Sequence, residues 1–190
     1  GTSKTFVHTK TAIFTESERM RDLLERIADA TVNYLAMQVQ HGAQALMLFD
    51  SWAGNLTPHD YGDMILPINA RLISRVRREL GVPVIFYAGQ NSAVLPMLTE
   101  CAASAYAVDW RITLEGAKSA LSRVAGPLIL QGNLDPLVLC GPESVVRARV
   151  REMVDFGRKH LDQYILNVGH GLTPHTPVDA LQWVIDESRK

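Results

Sequence analysis

The chain has 190 residues, with 19 Lys+Arg against 20 Asp+Glu for a formal net charge of -1, and 47% of its residues are hydrophobic. Those proportions suit a folded globular domain and exclude disordered or collagen-like chains. Near-neutral charge argues against a nucleic-acid partner, no apolar run approaches the ~20 residues of a membrane span, and Cys101 and Cys140 lie too far apart for a disulfide framework or a paired metal motif.

The chain opens Gly1-Thr2-Ser3 rather than on Met and shows no signal-peptide pattern. Its natural start is therefore expected to lie elsewhere, and its compartment to be the reducing cytoplasm. The first predicted helix is capped by Thr15, with Glu18 completing a capping box, and is stopped by Gly42. Met20, Leu23, Leu24, Ile27, Ala28, Thr31, Tyr34 and Leu35 recur at helical spacing and predict its buried face. The apolar run Ala45–Phe49 comes next, ending at Asp50-Ser51, and reads as a strand buried on both sides, as in parallel sheets. The next helix takes Thr57 as cap and Pro58 as first residue, restarts at Pro67 and ends at Gly81.

Four more strand-and-loop units continue the alternation: Val82–Gly89, Ala105–Trp110, Pro127–Asn133 and Tyr164–Gly171. The stretch 91–103 is the weakest helical segment, because Pro96 falls in its first turns. Further helices open at Thr113, at Pro142 and at Thr176-Pro177, the last with Leu181, Val184 and Ile185 expected to face inward. Five strands alternating with helices predict an α/β fold with a parallel sheet. Leu46, Leu48, Ile85, Leu130 and Leu166 are its expected core.

Polar and glycine residues gather where the strands end: Asp50-Ser51-Trp52, Tyr87-Ala88-Gly89-Gln90, Asp109-Trp110, Gln131-Gly132-Asn133 and Gly169-His170-Gly171. Ligands bind at that edge in barrels and open parallel sheets alike. No dinucleotide or P-loop glycine motif and no HExxH is present, and no histidine has the partner spacing of a specific metal site. Ser51 sits in Asp-Ser-Trp-Ala-Gly, not in a nucleophile elbow. Residue chemistry alone leaves open an acid- or sugar-binding barrel, an isomerase, a lyase or a non-catalytic half.

Four strings in register narrow the choice: Phe49-Asp50-Ser51-Trp52-Ala53-Gly54, Val108-Asp109-Trp110, Gln131-Gly132-Asn133-Leu134-Asp135-Pro136, and Ile165-Leu166-Asn167-Val168-Gly169-His170-Gly171 with Pro174 and Thr176-Pro177 after it. In this order and spacing they resemble the uroporphyrinogen decarboxylase family over essentially the whole chain, from Ser3-Lys4-Thr5-Phe6 onward. The resemblance implies a cofactor-free, metal-free carboxy-lyase that converts the four acetate arms of uroporphyrinogen to methyl groups, giving coproporphyrinogen and carbon dioxide. It also implies a TIM-barrel (β/α)8 fold of which residues 1–190 form the C-terminal part, with about five βα units. A tetrapyrrole substrate and a homodimer are the partners it implies.

Residue by residue, Ser51 matches the family serine that contacts substrate, and Phe49 a wall residue beside it. His170 matches the histidine that binds a substrate carboxylate, with Gly169 and Gly171 leaving room for close backbone approach. Tyr87 is a further candidate for the cleft wall. The family's arginine-rich loop, its central aspartate and a neighbouring tyrosine have no counterpart, so no catalytic residue is assigned, and neither Asp50 nor Asp109 is promoted to fill the place. Asp109 is expected to pair with a rim arginine, with Trp110 packed under it, while Gln131 and Asn133 are expected to hold loop backbone. Cys101 and Cys140 are expected to be buried or loop thiols.

Two further readings stand beside this one. A corrinoid-linked methyltransferase shares the barrel, but its zinc-binding cysteine is missing from Phe86-Tyr87-Ala88 and Gly169-His170-Gly171. Alternatively, the chain is an inert association fragment, because a barrel usually needs ~250 residues and five strands leave sheet edges open to self-association.

Overall fold

Five parallel strands form one sheet in chain order: β1 (Leu46–Asp50), β2 (Val84–Ala88), β3 (Ala105–Ala107), β4 (Ile129–Leu134) and β5 (Gln163–Val168). The computed structural model describes residues 5–90 and 92–190. Ser3 and Lys4, where the family resemblance begins, and Asn91 lie outside the described residues. Sequential order with a helical crossover between parallel neighbours is the topology of part of a (β/α)8-type barrel.

The helices form for local reasons readable in the chain. Thr57 accepts the Asp60 amide at 3.1 Å and starts a short helix α3 (Pro58–Asp60). This passes through a π-helical turn, Tyr61–Ile65, into α4 (Leu66–Leu80). Pro67 sits in the first turn of α4, and Gly81 ends it in the left-handed region at φ 67°. Thr113 caps α5 (Leu114–Ala120) by accepting the Gly116 amide at 3.0 Å. The longer α6 (Glu143–His160) starts after Pro142, and α7 (Val178–Ser188) after Pro177.

Alternation along each strand divides the sheet into two faces. Even-numbered residues such as Leu46, Val84, Phe86, Tyr106 and Leu130 point to the helices and pack with Leu72, Ile73 and Val76 of α4 into the main core. A second cluster joins Leu134 to Val146 and Val150 of α6 and Ala180 of α7. Odd-numbered residues line the opposite face, where Tyr87, Ala105, Ala107 and Gln131 of β2–β4 are buried while Phe49 and Ile165 on the edge strands are exposed. The apolar runs thus reflect burial on both faces only in the middle of the sheet. Leu46 and Leu130 are buried as expected, whereas Leu48, Ile85 and Leu166 are half-buried, and Ile85 belongs to the cavity face.

The N-terminal helix departs from expectation. Two helices stand there, α1 (Val7–Thr15) and α2 (Ser17–Gln40). Thr15 ends α1, its hydroxyl donating to the Thr11 carbonyl at 2.9 Å, so it cannot cap α2. Of the predicted face of α2 only Leu35 is buried; Leu23, Ile27 and Tyr34 are exposed. The helix packs on α4 and also touches α1, contacts that leave these three side chains at the surface. Residues 92–101 form a 3-10 helix that accommodates Pro96. Leu181 and Ile185 are also exposed, because α7 turns Ala180 and Glu187 toward α6 instead. Cys101 is buried and Cys140 exposed.

Glu187 anchors the C-terminal helix. Its side chain is 1% exposed and meets Arg151 at 2.7 Å, Lys190 at 3.0 Å and Arg147 at 3.6 Å. Hydrogen bonds from Lys190 and Arg151 hold its carboxyl well below the ordinary 4.5, at about 2. A depressed carboxylate stabilises the fold fully above the unfolded value and loses that contribution as pH falls through the folded one. Glu187→Gln is therefore expected to lower Tm at pH 7. The gap from wild type should narrow below pH 4.5 and close only below pH 2, as thermal melts across that range will read.

Candidate functional site

At the C-terminal ends of the strands, the cavity face of the sheet encloses about 330 Å³. Phe49, Ser51, Tyr87, Gly169, His170 and Gly171, the six residues singled out in the sequence, all line this one space. Phe49 and Tyr87 are register partners on β1 and β2, meeting edge to face with ring centroids 5.9 Å apart. Ser51 follows directly on β1, half-buried, in a turn tied to the β2 end by Gly89 N to Asp50 O at 2.9 Å. Outside that turn, Phe6 packs on Trp52 at 5.3 Å and Lys10 donates to the Asn55 carbonyl at 2.9 Å, so α1 clasps the loop from above.

Tyr87 is 5% exposed, and its hydroxyl donates to the Gly169 carbonyl at 3.4 Å. Burial, reinforced by the nearby Asp109 carboxylate, raises its phenol above the ordinary 10, so the hydroxyl stays protonated and available as a donor at neutral pH. Tyr87 thus combines a cavity wall with a satisfied hydroxyl.

Asp109 organises the rim. It is 7% exposed and accepts the amide of Gln90 at 3.0 Å, the amide of Arg111 at 2.9 Å and the Arg111 guanidinium at 3.0 Å. Arg111 in turn lies 4.1 Å over the Trp110 ring, a cation–π contact. Trp110 meets the His170 ring edge to face, with centroids 6.0 Å apart and planes at 85°. The expected rim pairing of Asp109 with an arginine stacked on Trp110 is present, and it continues to His170.

Gly169 is locked into the same construction. Its amide donates to the Leu134 carbonyl at 2.7 Å, and a Cβ on it would lie 2.7 Å from the Trp110 nitrogen. Gly169 is therefore required by packing within the chain. A Cβ on Gly171 would meet nothing within 4 Å, so this residue leaves open space beside His170.

Asn133 holds loop backbone as expected, donating to the carbonyls of Asp109 and Ile112 at 3.0 and 2.5 Å. Gln131 does not. Its side chain faces the cavity, with Nε2 3.4 Å from the Met47 sulfur. Met47 and Ala107 also line the cavity, although no motif contains them, and so does Asn167 from within the last motif string. The period-2 alternation from Phe49 and Tyr87 is the signal that does. Asp50 points to the other face, where Asn69 donates to it at 3.1 Å and Tyr61 hydrogen-bonds it; burial raises its carboxyl despite both partners. Among the described residues, no group of three His, Cys, Asp or Glu side chains could hold a metal ion, and no helix is long and apolar enough to cross a membrane.

This arrangement can seat an acidic ligand on an apolar wall, with Ser51, His170 and backbone amides at the rim. A solved methyltransferase from Methanosarcina mazei superimposes with a TM-score of 0.81 over 95% of this chain and 52% of that chain; at 17% identity, the likeness is one of fold alone. Uroporphyrinogen decarboxylases align over nearly the whole sequence. The protein of Carboxydothermus hydrogenoformans is 35% identical over 186 residues, covering 98% of this chain and 52% of that protein. The Desulfotalea psychrophila protein is 36% identical over 98% of this chain and 53% of its own length. The Streptomyces coelicolor protein is 37% identical over 98% and 51% respectively. The chain thus spans about half the length of the curated relatives it matches. The profile described as uroporphyrinogen decarboxylase (URO-D) matches residues 1–190 without interruption. With the four strand-end motifs now converging on one cavity, the chain belongs to the uroporphyrinogen decarboxylase family.

Proposed function

We propose that the protein carrying this chain is a cytoplasmic, cofactor-independent carboxy-lyase that removes the acetate carboxyl groups of uroporphyrinogen to give coproporphyrinogen and carbon dioxide. The observation that carries the reading is the convergence of Phe49, Ser51, Tyr87 and the Gly169-His170-Gly171 turn on one cavity at the strand ends, in a chain of this family. Residues 1–190 are read as the C-terminal part of a single (β/α)8 barrel that works as a homodimer.

Decarboxylation needs the pyrrole ring to become an electron sink. Protonation of a ring carbon gives a cationic ring that accepts the electron pair of the departing carboxylate. The exocyclic methylene so formed is protonated to the methyl group, and the ring carbon then releases its proton, so that one proton replaces each carbon dioxide lost. In this reading Ser51 and His170 bind carboxylate arms, Phe49 and Tyr87 flank the ring, and the amides of the Gly169–Gly171 turn add donors. These groups orient the substrate. The acid and the stabiliser of the cationic ring are assigned to no residue of the chain.

The test is an oxygen-free assay of the protein expressed from its complete reading frame. Wild type is expected to release carbon dioxide and form coproporphyrinogen. Combined Ser51→Ala and His170→Ala changes are expected to lower kcat/KM by roughly 100-fold or more, the scale for losing preorganised polar groups. Normal turnover in the double variant removes these residues from the site, and an inactive wild type removes the activity.

A further inference from the structure

Four polar or charged side chains are buried among the described residues: Asp109, Gln131, Asn133 and Glu187. Three have partners of the quality that burial demands. Asp109 accepts three charge-assisted bonds, Asn133 donates to two carbonyls, and Glu187 sits among three cations. Gln131 is the exception. At 5% exposure, its side-chain hydrogen bonding among the described residues is one contact from Nε2 to the Met47 sulfur at 3.4 Å. A thioether is a weak acceptor. An amide buried with so poor a partner costs stability that an apolar residue of the same length would not.

The position sharpens the anomaly. Gln131 lies on the interior strand β4, in register with Ala107 on β3 and Ile165 on β5. The row across the strands reads Phe49, Tyr87, Ala107, Gln131, Ile165, so one amide stands in an otherwise apolar and aromatic floor. Ala107 leaves the space above it unfilled, and both residues line the cavity. Because sulfur holds the amide weakly, turning its plane by half a rotation costs little, and the NH2 group is free to face the cavity.

We propose that Gln131 contacts the ligand of this cavity, donating an amide N–H to a carboxylate arm that reaches the floor. The inference rests on the polycarboxylate tetrapyrrole reading given above. Ser51 and His170 serve arms at the rim, whereas Gln131 serves one that points down toward the strands.

The experiment compares wild type, Gln131→Met and Gln131→Glu in the protein from its complete reading frame. It measures Tm, kinetics with uroporphyrinogen, and the Kd for uroporphyrin, the fluorescent oxidised octacarboxylate. Gln131→Met is expected to keep or raise Tm while KM and Kd rise about 10-fold or more, the scale of one hydrogen bond to a charged group. Gln131→Glu is expected to bind more weakly still, because a carboxylate faces a carboxylate. The proposal is overturned if Gln131→Met binds within twofold of wild type, whatever its Tm, or if Gln131→Glu binds as well as wild type. Wild type that binds uroporphyrin without turnover sinks the decarboxylase reading, while the variants' Kd values still decide the contact. Wild type that does neither sinks both.

Discussion

Asp109→Ala is expected to cost about 2–4 kcal/mol of stability and to lower kcat/KM by roughly 100-fold. The stability figure comes from the two backbone amides, of Gln90 and Arg111, that would lose their charged acceptor. The ion pair with Arg111 adds little, because that guanidinium is 42% exposed and screened by solvent. The activity loss comes from geometry. Without the carboxylate, Arg111 no longer holds Trp110 edge-on to His170, and misplacement of a binding group by about 1 Å costs on the order of 100-fold. Asp109→Asn keeps the shape and one acceptor, so it should fall between the two. Urea unfolding and steady-state kinetics check both numbers. A stability change under about 0.5 kcal/mol, the range of an ordinary surface substitution, would show that the rim does not depend on this carboxylate.

The second large effect separates two glycines that the sequence presents as a pair. Gly169→Ala would put a methyl group 2.7 Å from the Trp110 nitrogen and 3.1 Å from the Asp109 backbone, neither of which is a flexible side-chain end. Overpacking of this kind costs about 1–3 kcal/mol and displaces the His170 turn. Gly171→Ala meets nothing within 4 Å and should leave Tm unchanged. If substrate passes close to the turn, as proposed, Gly171→Ala should raise KM several-fold at constant Tm, while Gly169→Ala lowers Tm and activity together. Equal Tm losses at both positions would refute the distinction.

Most of the fold is legible in the chain itself. The five strands with their intervening helices, the caps at Thr57 and Thr113 and the stop at Gly81 are local effects, and local patterns report them. The α2 face is not legible in the same way, because helical spacing shows which residues share a side, not whether anything covers that side. Leu23, Ile27 and Tyr34 are apolar and aligned, yet exposed. Thr15 misleads for a related reason. A threonine three residues before a glutamate also fits the end of one helix beside the start of another.

The site shows the same division. Its six anticipated residues stand at strand ends, where the motif strings point, and all reach the cavity. Gln131 lies inside one of those strings yet reads as a loop residue, because its role depends on strand parity and on Ala107 opposite it. Neither is visible from one string. The link from Asp109 to His170 spans three separate strand ends, so no local window contains it.

That three-way tie has a mechanical consequence. Gln90 follows β2 and Arg111 follows β3, and Asp109 bonds the amides of both, while Gly169 after β5 packs directly against the Trp110 backbone. The first two loops cannot swing independently without breaking the bonds at that carboxylate, and the third is wedged against its neighbour. Rim opening should therefore be a single collective event, with one exchange rate reported by the amides of Gln90, Arg111 and Gly169 in relaxation-dispersion measurements on the μs–ms scale. The loop carrying Ser51 is bonded to the same β2 end, Gly89 donating to Asp50 one residue before Gln90. It should therefore share that rate, so that both sides of the cavity mouth open together.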